Sequence, residues 1–276
     1  NSYSVFNSIE KSKLNELNII YLLIYSNKQL TISLPCFVYD VDLDLLSNKI
    51  IQKFFQLIRK IFPRFFKLKV LFVGSQIAIC RDSFGINKLS NEQFANYAPL
   101  IFSELDKKAK KLECNILVVK EILKSNHINS LKNLFTIVPS VPSSYLLLDI
   151  NSSYVDRLRS NHKAKYKKRI KLFSESSIKW EICTDHKRCP VDLYSLYLQS
   201  VENSNSNFNT LPEEFFSEIL KNVTNSFLLV ASDANERSQA FALILYNNNE
   251  MFPIYGGFNY EYRDKYALYY NLIYRI

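Results

Sequence analysis

A short run of basic residues has the greatest potential for chemistry in this sequence. Between Ser153 and Phe173 it holds eight Lys or Arg residues against one acid, Asp156, which leaves a net charge of +7. Apolar residues recur in it at helical spacing, so the pattern predicts an amphipathic helix that begins at a capping-box-like pair of Ser153 and Asp156. The predicted buried stripe consists of Leu158, Tyr166, Ile170 and Phe173, with His162 on the same side.

The charged face of this basic helix is compatible with two roles. The backbone of RNA, or another polyanion, would bind the cations with salt-sensitive affinity. The candidate contacts are Arg159, Lys163, Tyr166, Lys167 and Arg169. A solvated helix face in a Lys- and Asn-rich chain accounts for the same residues, and the sequence leaves both interpretations open.

A second group with the spacing of a chemical site is Cys183-x-x-His186-x-x-Cys189. This is the spacing of part of a zinc site, but no fourth ligand accompanies it, and Cys183 fits the end of a strand. We therefore predict no metal. The sequence also has no Ser-His-Asp set, phosphate-binding P-loop or dinucleotide-binding glycine pattern.

The composition excludes disorder and favours an anionic partner. The chain is 47% hydrophobic and carries a net charge of +9, which suits nucleic acid, a phosphorylated cofactor or a membrane surface. Five scattered cysteines, an odd number, indicate reduced thiols and a cytoplasmic protein, and no apolar run is long enough to span a membrane. Because the chain lacks an initial Met and stops within a helical pattern, we expect it to be part of a longer protein.

Two successive α/β arrangements are expected to position these residues. The predicted elements of the first are a hairpin (20–26 and 29–39), a helix capped by Ser47, strands at 70–73 and 116–119, and helices near 98–112 and 122–135. Those of the second are a strand at 145–150, the basic helix, a strand at 178–183, helices near 191–202 and 212–222, a meander of three strands (226–232, 238–246 and 250–257) and a helix from about 264. The stretch PSVPSS at 139–144 is the best candidate boundary.

Residues 145–276 resemble a family of acyl-transferring enzymes. The matching pieces are YLLLDINSSYVDRLRSNHKAKYKKRIK, FNTLPEEFFSEIL and SFLLVASDANERSQAFALILYNNNEMFPIYGGFNYEYRDKYALYYNLIY. Their order is similar to that of transferases with two fused GNAT domains, including Fem-type peptidoglycan aminoacyltransferases. The resemblance implies an α/β (α+β) fold of two GNAT-like units, each a mixed, mostly antiparallel sheet flanked by helices. The first would cover 1–140 without its start, and the second 141–276 without its end.

For chemistry, the resemblance implies an N-acyltransferase that passes an acyl group from acyl-CoA, such as acetyl-CoA, to a primary amine on a small molecule or peptide, without a metal. The donor's pyrophosphate would lie at the turn from Gly256 into the helix near Asp264. The implied donor-binding residues are Phe252, Ile254, Gly256, Gly257, Arg263 and Lys265, and the implied proton donor is Tyr255.

One departure from the family pattern leaves the donor open. Simple GNAT enzymes have a glycine-rich turn where the backbone approaches phosphate, whereas NYEYRDKYA has no glycine after Gly257. This favours an alternative, an aminoacyl-tRNA-dependent transferase of the Fem type with tRNA as a partner. A further alternative is a non-catalytic protein that binds RNA or another polyanion on a GNAT scaffold.

Overall fold

A computed structural model of the chain describes residues 2–12, 19–44, 47–77, 85–86, 89–120, 127–138, 144–149, 151–190, 192–204 and 210–276. Its helices are α1 (Ser2–Lys11), α2 (Lys49–Arg59), α3 (Asn91–Lys111), α4 (His127–Leu131), α5 (Ser160–Ser174), α6 (Leu193–Glu202), α7 (Glu214–Asn222), α8 (Tyr260–Lys265) and α9 (Leu268–Arg275). Its strands are β1 (Ile19–Ser26), β2 (Gln29–Asp42), β3 (Lys67–Val73), β4 (Gly85–Ile86), β5 (Ile116–Val119), β6 (Lys179–Cys183), β7 (Ser226–Ser232), β8 (Ser238–Tyr246) and β9 (Met251–Phe258).

The chain divides into two compact units. The N-terminal unit is Asn15–Ser143, and the C-terminal unit combines Asn1–Leu14 with Ser144–Ile276. The predicted first unit, 1–140, included the residues of α1. The helix instead packs on α7, and the Ser8 hydroxyl donates a hydrogen bond to the Glu218 carbonyl oxygen at 3.1 Å. Such a long-range association is set by packing and leaves no local signal in the sequence.

The N-terminal unit is a five-stranded sheet covered by α3. Its order is β1-β2-β3-β5, with β4 beside β2. Among the described strands, β3 and β5 pair in parallel and the other pairings are antiparallel. The antiparallel pairing of β1 and β2 confirms the predicted hairpin. Asn27 and Lys28 form its turn, with φ values of 50° and 64°. The helix α3 begins at a capping box of Ser90 and Gln93, and Pro99 lies inside it. The prediction began this helix near 98 and therefore missed its first two turns.

The C-terminal unit is an antiparallel sheet in the order β6-β7-β8-β9. The predicted meander of β7, β8 and β9 is confirmed to within one residue at each end. Alternate residues of β8 point to opposite faces. Ala240 and Ala242 pack with Leu268 and Leu272 of α9, whereas the ring of Phe241 lies on the α6 and α7 side, 5.5 Å from that of Phe216 in α7.

Three predictions about the C-terminal unit were wrong. Residues 144–149 pair with no strand of the described chain. The basic helix begins at Ser160 and not at Ser153. The Ser153 hydroxyl accepts the Val155 N–H at 3.2 Å and does not cap a helix there. His162, which was predicted on the buried side, is exposed. The final helix is interrupted at Ala267, whose φ of 50° is a left-handed conformation that ends α8 before α9 starts.

Among the described residues, no helix is both long enough and apolar enough to cross a bilayer.

Candidate functional site

A cationic pocket of about 580 Å³ opens in the C-terminal unit between α5, α9 and the end of β9. Its lining combines four basic side chains with an apolar and aromatic floor. The residues are Lys165, Lys168, Arg169, Leu172, Phe258, Arg263, Asp264, Ala267, Tyr269 and Tyr270. With Asp264 as the one acid of this lining, the pocket carries a net charge of +3.

Helical spacing brings the α5 residues into this cationic pocket. Lys165, Lys168, Arg169 and Leu172 recur at intervals of three, four and seven residues, so they lie on one face of the helix. The neighbouring face packs inward, with the Tyr166 ring 4.7 Å from that of Tyr274. The helix thus uses one side for packing and the adjacent side for the pocket.

Arg169 is held in place by α9. Its Nη1 donates a hydrogen bond to the Tyr274 hydroxyl at 2.9 Å, and its guanidinium carbon lies 3.2 Å from the centre of the Tyr270 ring. Asn271, which is only 3% exposed, donates from Nδ2 to the Arg169 carbonyl oxygen at 3.1 Å and to the Ala267 carbonyl oxygen at 3.0 Å. These contacts fix both the backbone and the side chain of Arg169.

The opposite wall of the pocket is more exposed. Arg263 forms a two-pronged ion pair with Asp264, with both N–O distances at 3.0 Å, and its guanidinium lies over the Tyr260 ring. The hydrogen bond and charge of Arg263 hold the pKa of Asp264 below its usual range. Asp264 is therefore ionised at neutral pH and partly offsets the positive charge.

The structure brings some of the predicted site residues together and separates others. Arg169 and Arg263 line the pocket. Lys163 is two residues before Lys165, and Lys167 is directly before Lys168, and at about 100° per residue both point to another side of α5. Arg159 occupies the N-cap position of α5, outside the pocket. Lys265 lies 5.1 Å from the centre of the Tyr266 ring and does not line the pocket.

The two glycines lie within β9, as the predicted strand at 250–257 had them, and not in the turn that the resemblance implied for the donor. A Cβ atom at Gly257 would lie 2.5 Å from the Leu196 carbonyl carbon in α6, and one at Gly256 would lie 2.7 Å from the Phe241 carbonyl oxygen. Their absent side chains thus allow β9 to approach its neighbours closely. A role for them in donor binding remains a prediction.

The other predicted β9 residues lie at or near a bulge in the strand. Because Ile244 pairs with Pro253 and Leu243 pairs with Tyr255, Ile254 is an extra residue with no partner opposite. Phe252 pairs with Leu245 on the other side of this irregularity. The bulge interrupts the ladder at the edge strand of the sheet.

Tyr255 lies on the other face of the sheet from the cationic pocket. Its ring centre is 5.7 Å from that of Phe215 and 6.2 Å from that of Tyr197, both nearly perpendicular to it. This places Tyr255 in the aromatic packing of α6 and α7, whereas Tyr269 lines the pocket. Its assignment as a proton donor remains a prediction.

Most residues of the pocket lining were not among the predicted site residues. Lys165 and Lys168 were counted only as part of the charged face of the basic helix, although their spacing from Arg169 could have grouped them. Asn271 carried no signal, because its role depends on contact between helices more than 90 residues apart in the chain. Asn271 is identified only by the packing of α9 on α5.

The Cys183–Cys189 segment has the properties of ordinary structural thiols. Burial raises the pKa of Cys189 to about 11, and it also raises that of Cys183, whose thiol donates to the Asp185 carbonyl oxygen. Across the parts of the chain that the structure describes, no three His, Cys, Asp or Glu side chains are grouped as metal ligands.

The sequence matches no protein-family model and no curated protein. Its structure, however, is similar to the crystal structure of FemX, with a TM-score of 0.52. The two share a fold. The alignment covers 98% of this chain and 79% of FemX at 8% sequence identity, so the likeness is one of fold alone. It confirms the predicted fold class, a mixed α/β chain whose two sheets are flanked by helices in a GNAT-like, Fem-type arrangement.

Proposed function

We propose that this protein is a transferase that moves an acyl or aminoacyl group from a phosphate-bearing donor to a primary amine. The observation that carries the proposal is the cationic pocket, where four basic side chains surround an apolar floor in a fold similar to that of FemX. Arginine and lysine are the side chains that bind phosphate most strongly, and the pocket has the volume of ordinary small-molecule sites.

In this proposal the cations bind the donor's phosphates and the edge of β9 receives its carbonyl. No described strand pairs with the outer edge of β9, and the bulge at Ile254 interrupts the ladder on its inner edge. Backbone N–H groups there can donate to the oxygen of the carbonyl as negative charge develops on it. Catalysis would then arise from positioning and from this polarisation.

The reaction proceeds by attack of the neutral amine on the carbonyl carbon. A C–N bond forms, and the tetrahedral intermediate collapses with cleavage of the C–S bond of a thioester or the C–O bond of an aminoacyl ester. The amine nitrogen loses a proton, and the leaving thiolate or ribose oxygen gains one. Tyr255 and Tyr269 are the two candidate donors of that proton, and Tyr269 is the one that lines the pocket.

Aminoacyl-tRNA is the donor that we favour. The fold similarity to FemX supports a Fem-type reaction, and the helix that follows β9 is poorly suited to bind pyrophosphate. It has only six residues, and the Asn259 side chain already accepts the Glu261 N–H at 3.0 Å. Acyl-CoA is the second candidate, since a pocket of about 580 Å³ suits a compact phosphorylated cofactor. Both donors are cytoplasmic molecules, so we propose a cytoplasmic reaction.

Donor binding and donor consumption together test the proposal. Thermal unfolding of the full chain is measured with coenzyme A and with bulk tRNA at low and high salt, because a ligand of the folded state raises the melting temperature. Aminoacyl loss from charged tRNA and thiol release from acetyl-CoA are then followed with a panel of primary amines. We expect a salt-sensitive shift with tRNA, and amine-dependent loss of its aminoacyl group.

Two pairs of substitutions provide the control. Lys165→Ala with Lys168→Ala removes pocket cations and should weaken donor binding and reduce its salt dependence. Lys171→Ala with Lys179→Ala removes the same charge outside the pocket and should leave binding unchanged. Activity with acetyl-CoA alone would select the second donor. Binding of tRNA without consumption of either donor would show that the protein binds a polyanion and is not a transferase.

A further inference from the structure

The segment around α2 in the N-terminal unit has an exposed apolar stripe that the proposed reaction does not use. Its first four members recur every three or four residues, the fifth directly follows the fourth beyond the end of the helix, and each is 60–80% exposed. They are Ile50, Phe54, Leu57, Ile61 and Phe62. Single exposed apolar residues are common on protein surfaces, but a contiguous group of large ones marks a binding surface.

The orientation of this apolar stripe is fixed by contacts on the opposite side of α2. Asn48 caps the helix by accepting the Ile51 N–H at 2.9 Å. The Phe55 ring stacks on those of Phe65 and Phe66 at 5.7 and 4.7 Å. Because these contacts hold the inner side, the stripe cannot turn inward without breaking them.

The arginine on the inner side of α2 strengthens this arrangement. Arg59 pairs with Asp42 at 3.1 Å and also with Asp44, which is itself buried. The same guanidinium donates to the carbonyl oxygens of Phe65 and Phe66 at 3.1 and 3.3 Å. Exposure of the stripe is therefore a property of the folded unit.

The charged residues within the segment that carries the apolar stripe all have one sign. Residues 49–69 contain seven Lys or Arg residues and no acid. Arg59 and Lys67 pair with acids that precede the segment. Lys53, Lys60 and Arg64 are exposed and form no ion pair with any residue that the structure describes. At about 100° per residue, Lys53 and Lys60 lie along one flank of the stripe.

We propose that this face of α2 binds an anionic membrane surface. The helix would lie in the plane of the interface, with its apolar stripe among the upper acyl chains and its lysines at the lipid phosphates. An exposed apolar stripe with cations along one flank fits such a surface, because each basic residue near anionic lipid adds to the attraction. The proposal concerns the N-terminal unit and is independent of the donor pocket.

Flotation of the full chain with lipid vesicles tests this proposal. Vesicles of phosphatidylcholine alone are compared with vesicles that also contain phosphatidylglycerol, and we expect binding to the anionic vesicles. Phe54→Ser with Leu57→Ser should reduce binding roughly tenfold or more, since it removes two apolar side chains that the bilayer would bury. Lys53→Glu with Lys60→Glu should also reduce it roughly tenfold or more, and the loss should be largest at low salt.

Matched controls come from α3 in the same unit. Leu100→Ser removes an exposed apolar side chain, and Lys111→Glu reverses an exposed charge, so neither should alter binding. Insertion is detected directly by Phe54→Trp in a Trp180→Phe background, because the chain has one tryptophan. Its emission should shift to shorter wavelength only with anionic vesicles.

Three results would overturn the proposal. One is the absence of binding to anionic vesicles at low salt. Another is an equal loss of binding in the α3 control variants, which would indicate general charge attraction. The third is a lipid-free dimer that Phe54→Ser with Leu57→Ser dissociates, because the stripe would then be an interface between two copies of the chain.

Discussion

Replacing Asn271 with alanine tests whether the cationic pocket depends on the junction between α5 and α9. Asn271 is 3% exposed, and its side-chain amide donates to the carbonyl oxygens of Arg169 and Ala267. A net loss of about 1 kcal/mol for each hydrogen bond predicts that Asn271→Ala lowers the free energy of unfolding by about 2 kcal/mol. For a chain of this size, that corresponds to a fall in melting temperature of roughly 4–8 °C.

The matched control for this substitution is Asn203→Ala. Asn203 also donates to the carbonyl oxygen four residues before it, that of Gln199 at 2.8 Å. It is exposed, however, and within the described part of the chain its side chain bonds to no second helix. Urea unfolding of both variants isolates the contribution of the α5–α9 junction. Because Asn271 holds the backbone of Arg169, donor binding should also weaken in Asn271→Ala. Equal stability and equal donor binding in the two variants would refute this reasoning.

Three further predictions concern the remainder of the chain. Gly257→Ala should lower the free energy of unfolding by about 1–3 kcal/mol in urea titrations, because its Cβ would overlap the backbone of α6. Gly85→Ala is the control, and it should lower this free energy by less, because the nearest atom to its Cβ would be 3.3 Å away. Asp44→Asn should lower the free energy of unfolding by about 3 kcal/mol in the same assay, because the largely buried Arg59 loses one of its two carboxylate partners. Cys36 should resist alkylation at pH 8 until the chain unfolds, because burial raises its pKa to about 12 and the reactive thiolate is scarce below that pH.

The elements that the sequence predicted well are those with local signals. The three strands of the meander have β-rich composition and polar turns, and the β1–β2 hairpin has Asn27 at its turn. The break at Ala267 was missed because a left-handed alanine is unusual and leaves no trace in the residue types. Residues 144–149 look like a strand by composition, but strand formation requires a partner, and none is present among the described residues.

The candidate site was also only partly predictable, because it depends on contacts between elements that are distant in the sequence. Sequence spacing identifies α5 as a basic helix, but it cannot say which side of that helix faces α9. The apolar residues suggested a buried stripe that included Ile170, whereas Ile170 is exposed and Arg169 is held against Tyr270 and Tyr274. An arginine can replace an apolar residue at such a contact, because its stem and flat guanidinium pack on aromatic rings.

The two arginines of the cationic pocket are supported in different ways, and this difference bears on how a donor would bind. Arg169 is fixed by α9, so it can set the position of a phosphate without a further loss of side-chain freedom. Arg263 is 39% exposed and pairs with the more exposed Asp264, and such surface ion pairs contribute little to stability. Arg263 can therefore exchange its carboxylate partner for a donor phosphate at small cost. Arg169 on the α5 side of the pocket would then fix the position of the phosphate, and Arg263 on the α8 side would supply a positive charge that can move to contact it.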